Sequence, residues 1–227
     1  MLVAVAGIAL YSQVQETVVR MLNRRAFAVA MTAAGLLPRV AAAAPSALPD
    51  DMSLGRPTAK IEVIEYASLS CPHCAHFNEA VFPSLKAKYI DTGLVRYTLK
   101  EMLTEPATVA AAGFLMARCA GPSKYFKVVD EVFRSQPRWQ AGNIKPILQE
   151  IGAANGIDEA KFNACLQDQT AIDAVTARAQ RAAQQDGVNG TPTIFVNGKR
   201  LETVPLTAVQ MDDVLLPIIT AMAKGGR

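Results

Sequence analysis

Residues 61–74 read IEVIEYASLSCPHC, and this stretch decides the fold. β-branched and aromatic side chains fill its first half, which predicts a buried strand. Ser70 offers an N-cap and Pro72 suits the first turn of a helix, so a helix is expected to begin here. Cys71 and Cys74 are therefore predicted to lie at the start of a helix that directly follows a strand.

The rest of the chain predicts an α/β fold with a helical insertion. Residues 94–99 read LVRYTL and give a second strand, so residues 60–100 are expected to form a parallel strand–helix–strand crossover. Residues 105–186 carry apolar side chains at helical spacing and almost no strand pattern. Strand character returns at 193–196, where Asn197-Gly198 predicts a hairpin.

The two ends of this fold give weaker patterns. Residues 47–58 contain Pro, Asp and Gly and are interpreted as a lead-in to the first strand. Thr207 is placed to cap a last helix, and Pro217 is expected to end or kink that helix, because proline lacks the N–H that a helix interior needs.

The composition is that of a folded protein with a neutral body. The 227 residues are 51% hydrophobic and 19% charged, which excludes a disordered chain. The net charge of +3 comes from residues 1–42, which hold four arginines and one glutamate. The remaining residues carry 19 basic and 19 acidic side chains, so they offer no electrostatic footprint for nucleic acid.

Residues 1–43 are interpreted as a secretory signal peptide. An arginine pair, Arg24-Arg25, precedes an apolar run over 26–37, and small residues follow it. This order predicts cleavage after Ala42 or Ala43 and an exported, periplasmic protein.

Two details of this segment stay open. The arginine pair also fits a twin-arginine export signal, and Met21 is an alternative start. A membrane anchor is the other interpretation, but a spanning helix needs about 20 apolar residues and this run is ended by Pro38 and Arg39.

The Cys71/Cys74 pair predicts redox chemistry. A helix N-terminus presents unpaired N–H groups and a positive dipole end, which stabilise a thiolate at Cys71. His73, when protonated, adds positive charge nearby. A stabilised thiolate favours the reduced form and makes the disulfide a stronger oxidant, so the pair indicates a protein that gives its disulfide away.

Other roles for a Cys-x-x-Cys pair are a zinc site, a haem attachment site and a structural disulfide. Haem attachment needs His directly after the second cysteine, where this chain has Ala75. A zinc site needs two more ligands, and the cysteines and histidines available for it are Cys119, Cys165, His73 and His76.

Glu65 is a carboxylate inside an otherwise apolar strand. Burial of an unpaired charge is costly, so its pKa is expected to be raised, and it is placed to relay the proton of Cys74. Lys100, at the end of the next strand, is a candidate counter-charge. The alternative is an edge strand in which Glu65 faces water.

These features resemble the bacterial DsbA-like thiol:disulfide oxidoreductases. The resemblance rests on Glu65, the Cys71-Pro72-His73-Cys74 motif, the helical insertion and Thr191-Pro192 before a hairpin. It covers residues 54–223. It implies a thioredoxin fold in two parts, 54–104 and 187–223, that is interrupted by an all-helical subdomain over 105–186.

The resemblance also implies roles for individual residues. Cys71 would be the exposed nucleophile, Cys74 the buried resolving cysteine, and Glu65 the family's buried acid. Pro192 would be a cis-proline that faces the site, although spacing alone favours a trans bond, and Thr191 would contact the bound peptide. The best-known oxidases carry Val before this proline, whereas Thr also occurs in isomerase-type relatives.

A subgroup of this family has a second cysteine pair in the insertion, which implies a structural disulfide between Cys119 and Cys165. The alternative is two buried free thiols.

The resulting hypothesis is a periplasmic dithiol oxidase that acts through a mixed disulfide at Cys71. Its expected clients are unfolded, cysteine-containing exported proteins, and its expected reoxidant is a DsbB-type membrane quinone reductase. It is expected to be monomeric, with no cofactor and no metal. One alternative is an isomerase or reductase of the same fold. Isomerases of the DsbC type carry an N-terminal dimerisation domain, and the segment between the expected cleavage site and the first strand is too short for one. The other alternative is a metal carrier that uses the Cys/His cluster.

Overall fold

A computed structural model of the chain describes residues 45–139 and 144–225. The predicted signal peptide, 1–43, lies outside the described residues. Among the residues that are described, we find no helix long and apolar enough to cross a membrane.

A five-stranded mixed sheet has the order β1-β3-β2-β4-β5. Its strands are β1 (Met52–Leu54), β2 (Ile61–Ala67), β3 (Val95–Glu101), β4 (Thr193–Val196) and β5 (Lys199–Arg200). β2 and β3 are parallel, with Glu65 beside Leu99, and the other neighbouring pairs are antiparallel. The predicted parallel crossover over residues 60–100 is therefore confirmed.

Helices cover the sheet and fill the long connection between β3 and β4. They are α1 (Pro72–Ala80), α2 (Phe82–Leu85), α3 (Ala107–Cys119), α4 (Tyr125–Trp139), α5 (Lys145–Ala154), α6 (Glu159–Gln167), α7 (Gln169–Gln184) and α8 (Ala208–Gly225). Because α3 to α7 all lie between β3 and β4, the predicted α/β fold with an all-helical insertion is confirmed.

The lead-in contains a strand that the sequence analysis did not predict. β1 pairs with β3 so that Met52 lies beside Leu99 and Leu54 beside Tyr97. Three residues are too few to show the alternation that marks a strand, so the sequence pattern of the lead-in does not reveal β1.

The helix that follows Cys74 is divided, although its apolar spacing predicts one continuous helix. α1 ends at Ala80, α2 is a single turn, and residues Lys86–Ile90 form a wider π-helical turn. Pro83 explains the division, because it has no N–H to donate to the carbonyl of Glu79 and its ring crowds that carbonyl.

The insertion packs closely against the loop that leads to Cys71. Gly113 of α3 faces Leu69, and a Cβ atom at position 113 would lie 2.7 Å from Leu69 Cδ1. Leu69 is fully buried together with Phe114 and Val132 of the insertion. The helical insertion and the start of α1 therefore share one hydrophobic core.

The β4–β5 hairpin has the predicted turn. Asn197 and Gly198 have φ angles of 48° and 75°, as a two-residue turn of the I′ type requires. The side-chain oxygen of Asn197 also accepts the N–H of Glu62 at 2.8 Å, which ties the turn to β2.

The last helix begins as predicted but continues through its proline. Thr207 Oγ1 accepts the N–H of Gln210 at 3.2 Å, in the manner of an N-cap. Pro217 was expected to end or kink the helix, and because α8 extends to Gly225 it does not end it. Pro217 and Asp213 both lie on the exposed face, where water can bind the carbonyl that lacks a partner, while Leu215 packs in the core on the other side.

Candidate active site

Cys71 is the N-cap residue of α1. The helix begins at Pro72, and Cys71 has the extended backbone (φ −84°, ψ 120°) of a cap. The expectation that Ser70 caps the helix was wrong, because its hydroxyl instead donates to the Thr104 carbonyl at 2.8 Å. The sulfur of Cys71 therefore lies where a capping oxygen would lie, beside the unpaired N–H groups of the first turn.

The two cysteines are free thiols in this structure, and their environments differ. A hydrogen bond from Cys74, with help from the backbone N–H groups of Cys74 and His73, lowers the pKa of Cys71 to about 5, although burial opposes this shift. Burial raises the pKa of Cys74 well above its usual value, and the hydrogen bond to Cys71 and the charge of Glu65 act in the same direction. Cys71 is therefore the thiolate of the pair and Cys74 the protonated thiol.

Access to the pair is narrow. Cys71 is 7% exposed and Cys74 is fully buried. Cys71 is the more exposed of the two cysteines, as the resemblance implies. It is nevertheless buried, so the expectation of an exposed Cys71 was wrong. The Thr191 carbonyl lies 3.3 Å from Cys71 Sγ, where it accepts a hydrogen bond when Cys71 is protonated, and it covers one side of the sulfur.

Glu65 is buried behind the cysteine pair, 2% exposed. The Tyr97 hydroxyl donates to its Oε2 at 2.5 Å. Burial raises the pKa of Glu65 to about 8, the Tyr97 hydrogen bond lowers it in part, and the negative charge of Cys71 raises it further. The carboxyl can therefore hold a proton at neutral pH, close to Cys74.

Lys100 is not the counter-charge of Glu65. Its ammonium lies 3.6 Å from Asp51 Oδ2 and 3.4 Å from Asp186 Oδ2. The register of the parallel strands places Lys100 beside Tyr66 and Leu99 beside Glu65. Because successive side chains of a strand point to opposite faces of the sheet, Lys100 is on the face opposite Glu65.

The Thr191–Pro192 peptide bond is cis and lies next to Cys71. The backbone carbonyl of Thr191 contacts the sulfur. Its buried side-chain Oγ1 acts on the same sulfur, where it helps to lower the pKa of Cys71, and it makes no other hydrogen bond among the described residues. The neighbouring Thr193 is different, because its Oγ1 donates to the Gly190 carbonyl at 2.8 Å.

His73 inside the motif and His76 just after it are both exposed. His73 follows Pro72 in the first turn of α1 and contributes its backbone N–H to the Cys71 sulfur. His76 Nε2 is 3.1 Å from the Leu206 carbonyl, which connects α1 to the loop before α8.

Cys119 and Cys165 form a disulfide that joins the end of α3 to α6, with their Cα atoms 6.2 Å apart. Neither sulfur is then free to complete a zinc site with Cys71 and Cys74. In the parts of the chain that the structure describes, no group of three or more His, Cys, Asp or Glu residues is placed to hold a metal ion.

Two residues near the site were missed by the sequence analysis. Tyr97 reads as an ordinary strand residue, and Gln136 lies in a helix of the insertion. The side-chain nitrogen of Gln136 donates to the carbonyl oxygens of Leu69, at 2.9 Å, and of Cys71, at 3.2 Å. Neither residue belongs to a motif, so only the tertiary structure brings them to the site.

The fold and the site define a thioredoxin-type redox protein. The family model described as Thioredoxin matches residues 47–214, and the chain belongs to this family. The predicted resemblance to DsbA-like proteins with a thioredoxin fold is confirmed.

Three similar proteins carry related names. A putative protein-disulfide oxidoreductase of Rickettsia bellii is 32% identical over 70% of this chain and 62% of its own length. Disulfide bond formation protein D of Bacillus subtilis is 26% identical over 64% of this chain and 67% of its own. The crystal structure of Wolbachia pipientis alpha-DsbA1 has a TM-score of 0.71 and 28% identity, over 78% of this chain and 96% of that one.

The matched region therefore spans less than two thirds of the length of the Rickettsia relative. The names of all three proteins agree with the predicted enzyme class, a thiol:disulfide oxidoreductase.

Proposed function

We propose that this protein is a dithiol oxidase that donates its Cys71–Cys74 disulfide to newly exported proteins. The observation that carries the proposal is the opposite state of the two sulfurs: the helix N-terminus and Cys74 stabilise a Cys71 thiolate, while burial keeps Cys74 protonated. A thiolate that is stabilised in the reduced form makes the disulfide oxidising and makes Cys71 a good leaving group.

The reaction has two exchange steps. A client thiolate attacks Cys71 Sγ, the Cys71–Cys74 bond breaks, and the electron pair leaves with Cys74, which takes up a proton. A second client thiolate then attacks the client sulfur of the mixed disulfide and releases Cys71 as a thiolate. Two electrons pass from the client to the cysteine pair, and the client gains a disulfide.

Glu65 is the proposed proton donor and acceptor for Cys74. Its charge contributes to the raised pKa of Cys74, and its own pKa of about 8 allows it to hold a proton at neutral pH, which supports this role. When the disulfide opens, Glu65 can supply the proton that Cys74 needs in its buried position.

Pro72 and His73 contribute through the first turn of α1. Pro72 sets the start of the helix without leaving a buried N–H unpaired. His73 adds a backbone N–H to the thiolate and presents its imidazole to solvent beside it.

Thr191 and Pro192 are the proposed contacts for the client peptide. They flank Cys71 on the side of the Thr191 carbonyl, and the buried Thr191 hydroxyl acts on the Cys71 sulfur. When Cys71 is in a disulfide, this hydroxyl loses the thiolate as an acceptor, and a client backbone beside Cys71 is in place to bind it.

The wider setting of the proposal follows from the family resemblance. The protein would be exported to the periplasm after removal of residues 1–43, would act as a monomer on unfolded chains, and would be reoxidised by a DsbB-type membrane partner. Its thioredoxin-like parts, 54–104 and 187–223, would carry the chemistry, and the 105–186 insertion, with its Cys119–Cys165 disulfide, would cover the site.

Oxidative refolding of a reduced test protein examines this proposal directly. The wild-type protein should accelerate disulfide formation, and Cys71→Ser should abolish the effect, while Cys119→Ala/Cys165→Ala serves as a control that keeps the active pair. The Cys71–Cys74 potential should lie nearer the value of about −120 mV for a strong oxidant than the value of about −270 mV for thioredoxin. A thioredoxin-like potential would overturn the oxidase assignment and leave a reductase.

A further inference from the structure

Helix α4 of the insertion is attached to α1 by polar contacts at two places. Near the C-terminal part of α1, Asn78 Nδ2 donates to Asp130 Oδ1 at 2.7 Å. At the N-terminal end, Gln136 donates to the carbonyl oxygens of Leu69 and Cys71. The second contact ends on the backbone of the residue that carries the reactive sulfur.

The geometry at Gln136 uses all the donors of its amide. A side-chain amide nitrogen has two N–H groups, and one is directed to Leu69 O at 2.9 Å and the other to Cys71 O at 3.2 Å. Both acceptors are carbonyl oxygens, which fixes the orientation of the amide with its nitrogen toward the loop. Gln136 therefore connects the last residues of the loop to the first residue of the helix.

Cys71 has few other supports for its backbone. Its N–H donates to Ser68 O at 3.0 Å, and its carbonyl accepts the first helical bond, from Ala75 N–H at 3.1 Å. No side chain caps α1 from the preceding loop, since the N-cap position is occupied by Cys71 itself. The position of the sulfur opposite the first-turn N–H groups depends on this cap backbone remaining in place.

Gln136 also changes the electrostatics around the thiolate. The carbonyl oxygens that Gln136 contacts are the negative ends of peptide dipoles, one in Cys71 itself and the other two residues before it. The two N–H groups of Gln136 are partial positive charges that offset these oxygens, so they favour a negative charge on Cys71.

We infer that Gln136 is a positioning residue of the redox site, through which the helical insertion sets the stability of the Cys71 thiolate. It acts on the backbone at Leu69 and Cys71, not on the client or the sulfur. The inference rests on the proposed redox function of Cys71, and it gives the insertion a part in tuning that function.

The test compares two contacts between the same pair of helices. Gln136→Met keeps the length of the side chain and removes both donors, and Gln136→Glu replaces the donors with a carboxylate. Asn78→Ala is the matched control, because it breaks the other α4–α1 contact about 10 Å along the helix from Cys71. The titratable groups that interact with Cys71, namely Cys74 and Glu65, are unchanged in all three variants, as are His76, Glu79 and Arg134, which line the same cleft as Gln136.

The readouts are the thiolate absorbance of Cys71 as a function of pH, the exchange equilibrium with glutathione, and the thermal midpoint. We expect Gln136→Met to raise the pKa of Cys71 by about one unit and to shift the glutathione equilibrium about tenfold toward the disulfide form. Gln136→Glu should shift both further in the same direction. Asn78→Ala should lower the thermal midpoint and leave the pKa and the equilibrium unchanged.

A purely structural brace would give a different result. If Gln136→Met lowered the thermal midpoint as Asn78→Ala does and left the Cys71 pKa and the glutathione equilibrium at their wild-type values, the inference would be refuted. Failure of the proposed function would be seen separately, as a reducing potential in the wild-type protein, before any variant is compared.

Discussion

The Tyr97 hydroxyl donates a hydrogen bond of 2.5 Å to Glu65, and both residues are buried beneath the cysteine pair. Tyr97 is a neutral donor, so it stabilises the carboxylate less than a cation would. Lys100, the nearest cation on the strand, pairs with Asp51 and Asp186 on the other face of the sheet. The pKa of Glu65 is therefore raised to about 8, which suits a group that exchanges a proton with Cys74.

Removal of the Tyr97 hydroxyl should raise the pKa of Glu65 further. Tyr97→Phe keeps the ring that packs against Phe82 and Phe126 but removes the hydrogen bond that favours the carboxylate. The carboxyl stretching band in infrared spectra should report a titration midpoint above 8. Tyr89→Phe, which removes a hydroxyl bonded to the distant Asp212, is the control and should leave the midpoint in place. An unchanged midpoint in Tyr97→Phe would mean that the hydroxyl does not control this group.

The pH dependence of stability should reveal the cost of ionising Glu65. Its pKa is raised from 4.5 in the unfolded chain, so the folded state binds the proton more tightly and loses stability as the pH rises toward 8. Glu65→Gln should remove this loss. A shift of the Glu65 pKa from 4.5 to about 8 corresponds to about 5 kcal/mol. In the disulfide form, which lacks the charge of Cys71, the variant should be more stable than the wild-type protein at pH 9 by somewhat less than this amount and nearly equal to it at pH 4.

Denaturant unfolding of the oxidised protein at several pH values measures this difference. Glu62→Gln is the matched control, because Glu62 lies on the same strand and is only half-buried. A gain of the same size in Glu62→Gln, or no dependence of the Glu65→Gln gain on pH, would contradict the assignment of the effect to the buried carboxyl.

Much of the fold could be predicted from local patterns in the sequence. The β2–α1–β3 crossover, the helices of the insertion and the β4–β5 hairpin each follow from periodicity and from residues such as Asn197 and Gly198 that suit one turn type. β1 could not be predicted in this way, because three residues carry no period and the strand forms only through its pairing with β3.

The residues of the site also fall into those that could be predicted from the sequence and those that could not. Cys71, Cys74 and Pro192 belong to motifs and could be found in the sequence. Tyr97 and Gln136 could not, because their roles depend on distances across the fold: 32 and 65 residues separate them in sequence from Glu65 and Cys71. The predicted Glu65–Lys100 pair was wrong because the two side chains occupy opposite faces of the sheet.

Alkylation of Cys71 should show a strongly acidic thiol. Because its pKa is lowered to about 5, the rate with iodoacetamide should be nearly constant above pH 6 and fall below pH 5. The hydrogen bond from Cys74 is the main cause of this shift. Cys74→Ala, which removes the donor, should therefore raise the pKa by about one unit or more, and Cys74→Ser, which keeps one, should raise it less. Equal pKa values in the two variants would argue against this hydrogen bond.

Thr191 and Thr193 should respond differently to replacement by valine. Thr191→Val removes a buried hydroxyl that helps to stabilise the Cys71 thiolate, so the pKa of Cys71 should rise and the KM for a cysteine-containing peptide should increase several-fold. Thr193→Val breaks a bond to the Gly190 carbonyl and should cost about 1 kcal/mol with no change in KM. If Thr191→Val left KM unchanged, the Thr191 hydroxyl would not be a client contact.

The Cys119–Cys165 disulfide should stabilise the insertion without taking part in the redox reaction. It joins residues 46 apart in sequence, and a loop of this length corresponds to about 4 kcal/mol in the chain-entropy description. Cys119→Ala/Cys165→Ala should lower the free energy of unfolding by about this amount, and the pKa of Cys71 and the rate of oxidative refolding should stay at wild-type values.

Mass spectrometry after alkylation provides the complementary measurement. The Cys71/Cys74 pair is first reduced in the folded protein, which is then unfolded and alkylated without further reductant. The protein should gain two alkyl groups, both at the active pair. Four alkyl groups would show that Cys119 and Cys165 are free thiols, and a changed Cys71 pKa in the double variant would show that the disulfide reaches the active site. Because the bond connects α3 to α6, both within the insertion, we expect neither result.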